Sequence, residues 1–176
     1  MSIKRVIIFF TEKIIIKKSK MLGGMNMISY EINCDTLALL PVSQNETKVV
    51  EKENMYLVKK PVMEIIENSC EFFGSSYTGR HEGTKKLIGI SHKSPIIIEE
   101  SRNLIYFPTC SPRLDKCCWI ALNNIKKYEN NNGKTELLFS NNKKINLPIS
   151  YGSFDNQYLR ATKLESVLRK RINATE

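Results

Sequence analysis

The chain has 176 residues and a net charge of +9, and 41% of its residues are hydrophobic. This length and composition fit one globular domain with a core of its own, and they exclude a chain that is mostly disordered. The apolar runs are far shorter than the ~20 residues of a membrane-spanning helix, so the sequence predicts no membrane segment.

The first 26 residues form a basic leader. They hold six lysines and arginines against one glutamate, a net of +5, and they lack the cleavage site of a signal peptide. Leu22-Gly23-Gly24 can be encoded by a string that contains a bacterial ribosome-binding site, shortly before Met27. We therefore predict that translation starts at Met27 and that residues 27–176 form the domain. The alternative is that residues 1–26 are a lysine-rich arm.

After Met27 the chain is interpreted mostly as short strands joined by polar turns. The first four runs are MISYEIN (27–33), TLALLP (36–41), ETKVVEK (46–52) and MYLVKK (55–60). A helix over about 61–73 follows, because Pro61 suits a first helical turn and apolar residues then recur at helical spacing. Gly74 stands where a C-terminal cap belongs.

The stretch CEFFGSSYTGRHEGTK (70–85) has the G-x-x-x-x-G spacing of a phosphate-binding loop in Gly74 and Gly79. A P-loop leads from a strand into a helix and ends in Gly-Lys followed by Ser or Thr. Here a helix precedes the glycines, and Arg80 and His81 follow Gly79. The sequence therefore predicts a polar loop without a nucleotide site.

The second half of the chain is predicted to hold more strands and one more helix. The strands are the runs KKLIGIS (85–91), PIIIE (95–99), NLIYFP (103–108), KCCWIALNNIKKYE (116–129), TELLFS (135–140) and KKINLPIS (143–150). A helix over about 153–172 has Ser153 as its N-cap and places its apolar residues on one stripe. Its basic face is either solvated or docks on DNA or a partner. We therefore expect an α+β fold: a strand-rich antiparallel sheet or partial barrel with two helices.

The cysteines and histidines do not form the pattern of an enzyme or of a metal site. Five cysteines, an odd number in a chain without an export signal, indicate free thiols in a reducing cytoplasm. Cys110, Cys117 and Cys118 lack the paired spacing of zinc ligands, and His81 and His92 are the two histidines. We expect no catalytic residue, no metal and no cofactor.

Three polar, basic loops stand between the apolar runs. They are SSYTGRHEGTKK (75–86), SHKSP (91–95) and TCSPRLDK (109–116). Hydroxyls, backbone N–H groups and arginines on loops are the groups that contact phosphates and the minor groove of DNA. The pattern favours a nucleic-acid partner, with ordinary surface loops as the alternative.

Several long motifs, in a fixed order, include these loops. They are SYEINCDTLALLP (29–41), SCEFFGSSYTGR (69–80), GISHKSPIIIE (89–99), LIYFPTCSPR (104–113), CCWIAL (117–122) and LPISYGSFDNQYLR (147–160). With them the chain closely resembles the ComK family of competence transcription factors over everything after Met27. The resemblance implies an activator of DNA-uptake genes that reads A/T-rich boxes in double-stranded DNA through the minor groove.

The resemblance directs the DNA-binding hypothesis to the three loops. Arg80 is expected to reach DNA while the nearby glycines let the backbone approach phosphates; the other candidates are Ser75, Ser76, Tyr77, Lys85, Lys93 and Arg113. The alternative is a helix-capping loop in which Ser76 and Tyr77 satisfy backbone groups.

The resemblance also implies partners and a place in the cell. Family members act as homodimers that assemble further on the promoter, which predicts a cytoplasmic, nucleoid-associated oligomer that acts on RNA polymerase indirectly. The family's C-terminal tail is recognised by the adaptor MecA, which delivers the protein to the ClpC protease. This chain stops at RKRINATE (169–176), so we expect a shortened tail and place adaptor control in doubt. The alternative function is a protein-interaction module that dimerises or titrates a protease adaptor without activating transcription.

Overall fold

A computed structural model describes residues 25–174, so most of the predicted leader lies outside the described residues. The described part has three α-helices: α1 (Val62–Phe72), α2 (Tyr77–Ile88) and α3 (Tyr151–Asn173). None of these helices is long and apolar enough to cross a membrane. The α+β prediction is confirmed, with sheets that do not close into a barrel.

The larger sheet has seven strands in the order β1-β4-β3-β2-β7-β6-β5. Their bounds are β1 Met25–Met27, β2 Thr36–Ser43, β3 Glu46–Glu51, β4 Met55–Val58, β5 Ile96–Glu99, β6 Leu104–Pro108 and β7 Trp119–Ala121. Only β1, which runs parallel to β4, departs from the antiparallel pairing of the described strands in this sheet.

The smaller sheet has three antiparallel strands, β8 (Ile125–Asn131), β9 (Lys134–Phe139) and β10 (Lys144–Leu147), with β9 in the middle. A 3₁₀ turn over Leu122–Asn124 connects β7 to β8 and so carries the chain from one sheet to the other. The prediction of one continuous strand over 116–129 is wrong, because the turn divides this segment between the two sheets.

The larger sheet is buried on both faces. Adjacent residues of one strand belong to different core clusters, as Val49 and Val50 of β3 do, because successive side chains of a strand point to opposite faces. Ile65 and Ile66 of α1 pack in the first cluster, while Phe154 and Ala161 of α3 pack in the second together with the smaller sheet. Two-sided burial explains why β5, β6 and β7 read as continuous apolar runs.

The first predicted helix is confirmed, and its C-terminus explains the glycine that follows. Gly74 has φ +73°, its N–H bonds to the Glu71 carbonyl, and the N–H of Ser75 bonds to the Cys70 carbonyl. These two bonds form a Schellman motif, which glycine allows at no steric cost. The chain therefore turns sharply into α2.

The helix α2 is a third helix, and the predictions of a loop over 75–86 and of a strand over 85–91 are wrong. Ser76 caps it by accepting a hydrogen bond from the Gly79 N–H at 3.0 Å, and Gly89 ends it at φ +73°. Tyr77 packs on the first core cluster and Ile88 belongs to the second. Since α2 thus contacts both faces, it covers the β5 edge of the sheet and shields an otherwise open strand.

The predicted strand 27–33 is wrong beyond Met27. Tyr30 and Ile32 are buried, but the Ile32 N–H donates to the Ser69 hydroxyl of α1 at 3.0 Å instead of to a neighbouring strand. The helix predicted over 153–172 is confirmed, but it begins at Tyr151, so the prediction of Ser153 as its N-cap is wrong because Ser153 lies inside the first turn. Its stripe is buried as expected at Phe154, Ala161 and Leu164.

Candidate nucleic-acid interface

A cleft of about 540 Å³ brings together residues from all three segments that were predicted as basic loops, the first of which is the helix α2 in the structure. It lies between the first turns of α2, the loop 91–93 and the loop 111–113. The lining residues are Met63, Tyr77, Thr78, His81, Ser91, His92, Lys93, Ser111, Pro112 and Arg113. This lining holds two cationic side chains and two imidazoles and no carboxylate, so the cleft suits an anionic ligand.

The loop 91–93 is held by its carbonyl groups. Three successive carbonyl oxygens each accept a hydrogen bond from a different side chain: Ser91 from His81 at 3.0 Å, His92 from Arg160 at 2.9 Å and Lys93 from Gln157 at 3.0 Å. Within residues 25–174 the N–H groups of this loop donate to no protein acceptor. The loop therefore presents unpaired N–H groups, together with its exposed side chains, to solvent.

Lys93 has an unusual backbone conformation. Its φ of 52° lies in the left-handed region, which is uncommon for a residue with a Cβ and persists where the surroundings enforce it. The side chain is exposed at the edge of the cleft. The three carbonyl contacts are the surroundings that enforce this geometry.

Arg113 stands on a closed loop. Thr109 and Cys118 pair at its base, where the Thr109 N–H bonds to the Cys118 carbonyl at 2.9 Å and the Cys118 N–H bonds to the Thr109 hydroxyl at 3.1 Å. A further turn joins the Leu114 N–H to the Ser111 carbonyl at 3.0 Å. Arg113 is exposed at the third position of this turn, and it lines the same cleft as Lys93.

Tyr77 forms a wall of the cleft and connects it to the core. Its ring meets Trp119 edge-on at 6.1 Å between centroids and lies 5.9 Å from the ring of His81. Burial raises the pKa of the Tyr77 hydroxyl above its ordinary value of 10, so it stays protonated and can donate a hydrogen bond. Tyr77 thus combines a packed ring with a polar tip.

Arg80 does not line the cleft. Its guanidinium pairs with the Glu100 carboxylate at 2.7 Å, its side chain is 16% exposed, and its Nε is buried without a hydrogen-bond partner. Lys85 is exposed on α2 and lies 3.7 Å from Glu82. The structure thus brings Tyr77, Lys93 and Arg113 together and leaves Arg80 and Lys85 outside the cleft.

The two serines of the predicted site have structural roles in the free protein. Ser76 caps α2, which agrees with the helix-capping alternative, and the Ser75 N–H belongs to the Schellman motif that ends α1. Neither serine lines the cleft.

The cysteines are free thiols in the part of the chain that the structure describes. Burial raises the pKa of Cys70 to about 11, that of Cys117 to about 12 and that of Cys118 to about 11. Between residues 25 and 174, no three His, Cys, Asp or Glu side chains are grouped so that they could hold a metal ion.

Sequence reasoning missed the residues that hold the cleft in shape. The predicted site does not include Gln157, Arg160 or His81, although each of them binds a carbonyl of the loop 91–93. The signal that could have found Gln157 and Arg160 is their position inside the motif LPISYGSFDNQYLR, whose polar residues are not explained by helix amphipathicity.

Comparisons with known proteins agree on one family. A family model described as ComK protein matches residues 27–173. The chain is 40% identical over 149 residues to a Bacillus subtilis (strain 168) protein named competence transcription factor, which covers 82% of this chain and 78% of that protein. No solved structure matches the chain significantly.

Proposed function

The chain belongs to the ComK family, as its motifs predicted, and we propose that it is a competence transcription factor that binds A/T-rich promoter DNA through the cleft. The family consists of transcription factors and not of enzymes. In this role the chain activates the genes for DNA uptake in the cytoplasm, at the nucleoid, and influences RNA polymerase through the promoter.

One observation carries the assignment of the DNA contacts to the cleft. Lys93 and Arg113 stand on two separate loops that line the same cleft, and no carboxylate is among its lining residues. Phosphate contacts are made by lysines, arginines, hydroxyls and backbone N–H groups, and the cleft supplies all four. The unpaired N–H groups of Ser91, His92 and Lys93 add donors that keep their direction because the loop's carbonyls are anchored.

Within this proposal the two cations have different tasks. The minor groove of B-DNA is about 6 Å wide and narrower in A-tracts, where its negative potential attracts an inserted arginine. In this proposal Arg113 enters the groove, because it is exposed at the third position of a turn and carries the guanidinium that a narrow A/T groove attracts. Lys93 and the N–H groups of its loop bind the phosphates of one strand. Paired A/T boxes then require two copies of the chain.

The expectation that Arg80 reaches DNA stays a prediction. Its guanidinium is held by Glu100 in the free protein, so contact with DNA would first require this ion pair to open. Lys85 is exposed and needs no such change, and it stays a candidate for a peripheral phosphate contact.

The proposal is tested by binding of the full chain to a duplex with two A/T boxes and to a scrambled duplex of equal composition, across a salt series. We expect preferential binding that weakens steeply with salt, because counterions compete with the basic side chains. Netropsin, which occupies A/T minor grooves, should displace the protein. Equal or absent binding by a folded sample would contradict the proposal and favour the protein-interaction module.

The cleft itself is tested by Arg113→Ala, with Arg102→Ala as the matched control. Both arginines are exposed, and Arg102 lies in the turn before β6 while Arg113 follows the other end of that strand. We expect Arg113→Ala to weaken A/T binding by about 1–3 kcal/mol, with relaxed preference, while Arg102→Ala binds as the unaltered chain does. Equal losses in both variants would show that only net charge matters.

A further inference from the structure

We infer that Gln157 is a positioning residue for DNA recognition: it fixes the two loops of the cleft relative to each other without contacting DNA. The role in DNA recognition rests on the proposed function, whereas the hydrogen bonds by which Gln157 holds the loops do not depend on it. Gln157 lies on α3, is 4% exposed, and is not among the residues that line the cleft.

The Gln157 amide joins the two loops through one nitrogen. Its Nε2 donates to the Lys93 carbonyl at 3.0 Å and to the Pro108 carbonyl at 2.8 Å. Lys93 belongs to one loop, and Pro108 ends β6 immediately before the loop that carries Arg113. The two protons of a primary amide match two carbonyl acceptors, so the Lys93 loop and the end of β6, from which the Arg113 loop starts, are tied to the same atom.

The two hydrogen bonds that Gln157 donates, which we call the clamp, have a rigid support. Phe154 and Ala161, three residues before and four after Gln157, are fully buried on the same side of α3. The position of Nε2 is therefore set by the core and not by the loops. Since Lys93 has a left-handed φ, release of its carbonyl would let the loop relax to ordinary conformations and turn its N–H groups away.

Two other side chains hold the same loop, but from one side only. Arg160 and His81 each bind a carbonyl of residues 91–92 and do not bind the Arg113 loop. Gln157 therefore constrains the separation of Lys93 and Arg113 in addition to the pairing of β5 with β6, the strands next to the two loops. That separation determines whether both can meet a minor groove of one particular width.

The test replaces Gln157 by Glu, which keeps the size of the side chain but presents oxygens to the two carbonyls. Asn156→Asp is the matched control, because Asn156 is the preceding residue of α3, is exposed, and undergoes the same change from amide to carboxylate. Gln157→Met, which removes the donors without adding charge, replaces the first variant if that one does not fold. Leu164→Val serves as a control for loss of stability alone.

The first measurement is ¹⁵N relaxation of the amides of Ser91, His92 and Lys93 in the free protein. We expect order parameters typical of rigid backbone, about 0.85, in the unaltered chain and values below about 0.6 in the Gln157 variants. Unchanged order parameters in a folded Gln157 variant would overturn the inference, whatever the DNA measurements give.

The second measurement is the ratio of affinities for the A/T duplex and the scrambled duplex. We expect this ratio to fall about tenfold in Gln157→Met while the salt slope is kept, because the basic side chains are still present. If Gln157 only stabilises the fold, Gln157→Met should behave like Leu164→Val and leave the affinity ratio unchanged. That result would refute a role of Gln157 in recognition. If the unaltered chain shows no A/T preference but the Gln157 variants lower the order parameters of the loop, the proposed function is refuted and the structural role of Gln157 is retained.

Discussion

The ion pair between Arg80 and Glu100 allows a test that separates a structural arginine from a DNA-binding one. The two side chains meet at 2.7 Å, with Arg80 16% exposed and Glu100 68% exposed. Because one partner is largely in water, the pair belongs to the class of surface ion pairs worth about 0.2–1 kcal/mol. We expect a coupling free energy in this range from a double-mutant cycle of Arg80→Met and Glu100→Gln.

A second effect acts in the opposite direction. The Nε of Arg80 is buried without a partner, and such a group costs about 1–3 kcal/mol. Methionine keeps most of the apolar stem and removes this unpaired donor. The removal of the buried nitrogen therefore offsets or exceeds the loss of the ion pair, and Arg80→Met should leave the free energy of unfolding unchanged or raise it by up to about 3 kcal/mol.

Urea denaturation followed by the fluorescence of Trp119 provides the assay. Trp119 is the single tryptophan of the chain and is fully buried, so its emission reports unfolding without interference. The same variants are then bound to the A/T duplex across a salt series. If the ion pair stays closed on DNA, Arg80→Met should bind within about twofold of the unaltered chain, because the guanidinium then contacts Glu100 and not a phosphate. A fivefold loss of affinity with a salt slope reduced by about one would refute this reasoning and establish Arg80 as a phosphate contact.

Three further predictions concern the thiols and a glycine. A thiol reagent such as DTNB should modify exposed Cys34 first, half-buried Cys110 more slowly, and Cys70, Cys117 and Cys118 only in denaturant; five equal rates in the native protein would contradict the burial. The three buried thiols have pKa values raised above the ordinary 9. As the pH rises, these thiols therefore lose their protons in the unfolded chain before they do so in the folded protein. The free energy of unfolding should fall between pH 9 and 11, by up to about 1.4 kcal/mol per pH unit for each thiol. Unfolding free energies that are flat over that window would show that these thiols ionise equally in both states. Gly74→Ala should lower the free energy of unfolding by about 1–2 kcal/mol, because the added Cβ meets no atom within 4 Å but alanine must adopt φ +73°. Gly74→Asn should lower it less, since asparagine tolerates this conformation better. Equal losses for the two variants in a denaturation experiment would point to a different cause.

The helices α1 and α3 could be predicted because local signals agree with burial. Pro61, the spacing of Val62, Ile65 and Ile66, and Gly74 all indicate the same helix, and the same residues are buried on the sheet. Strands were predictable for a similar reason, since β5 and β6 are short apolar runs bounded by polar turns.

The helix α2 could not be found in this way. Only Thr84 and Ile88 are buried among its residues, so no apolar stripe is visible, and Gly79 and Gly83 each lower helix propensity by about 1 kcal/mol relative to alanine. The helix forms because Tyr77 and Ile88 dock on the two core clusters around the β5 edge. Tertiary packing decided this segment against its local preference.

The candidate site divides in the same manner. Lys93 and Arg113 could be proposed from the sequence because basic residues in loops between apolar runs are visible there, and the structure places both on one cleft. Gln157 was not, because its contacts with Lys93 and Pro108 span 64 and 49 residues. A buried amide that binds distant carbonyls leaves no periodic or local pattern by which it could be recognised.

The same clamp has a consequence for the order of events during synthesis. The loops that carry Lys93 and Arg113 leave the ribosome before α3 does, at about 5–20 residues per second, and until Gln157 arrives the Lys93 carbonyl lacks its link to the end of β6. A nascent chain therefore acquires its basic surface early and the correct shape of that surface late. Under the proposed function we therefore expect non-specific attraction to nucleic acid to precede selective recognition, which begins when α3 docks.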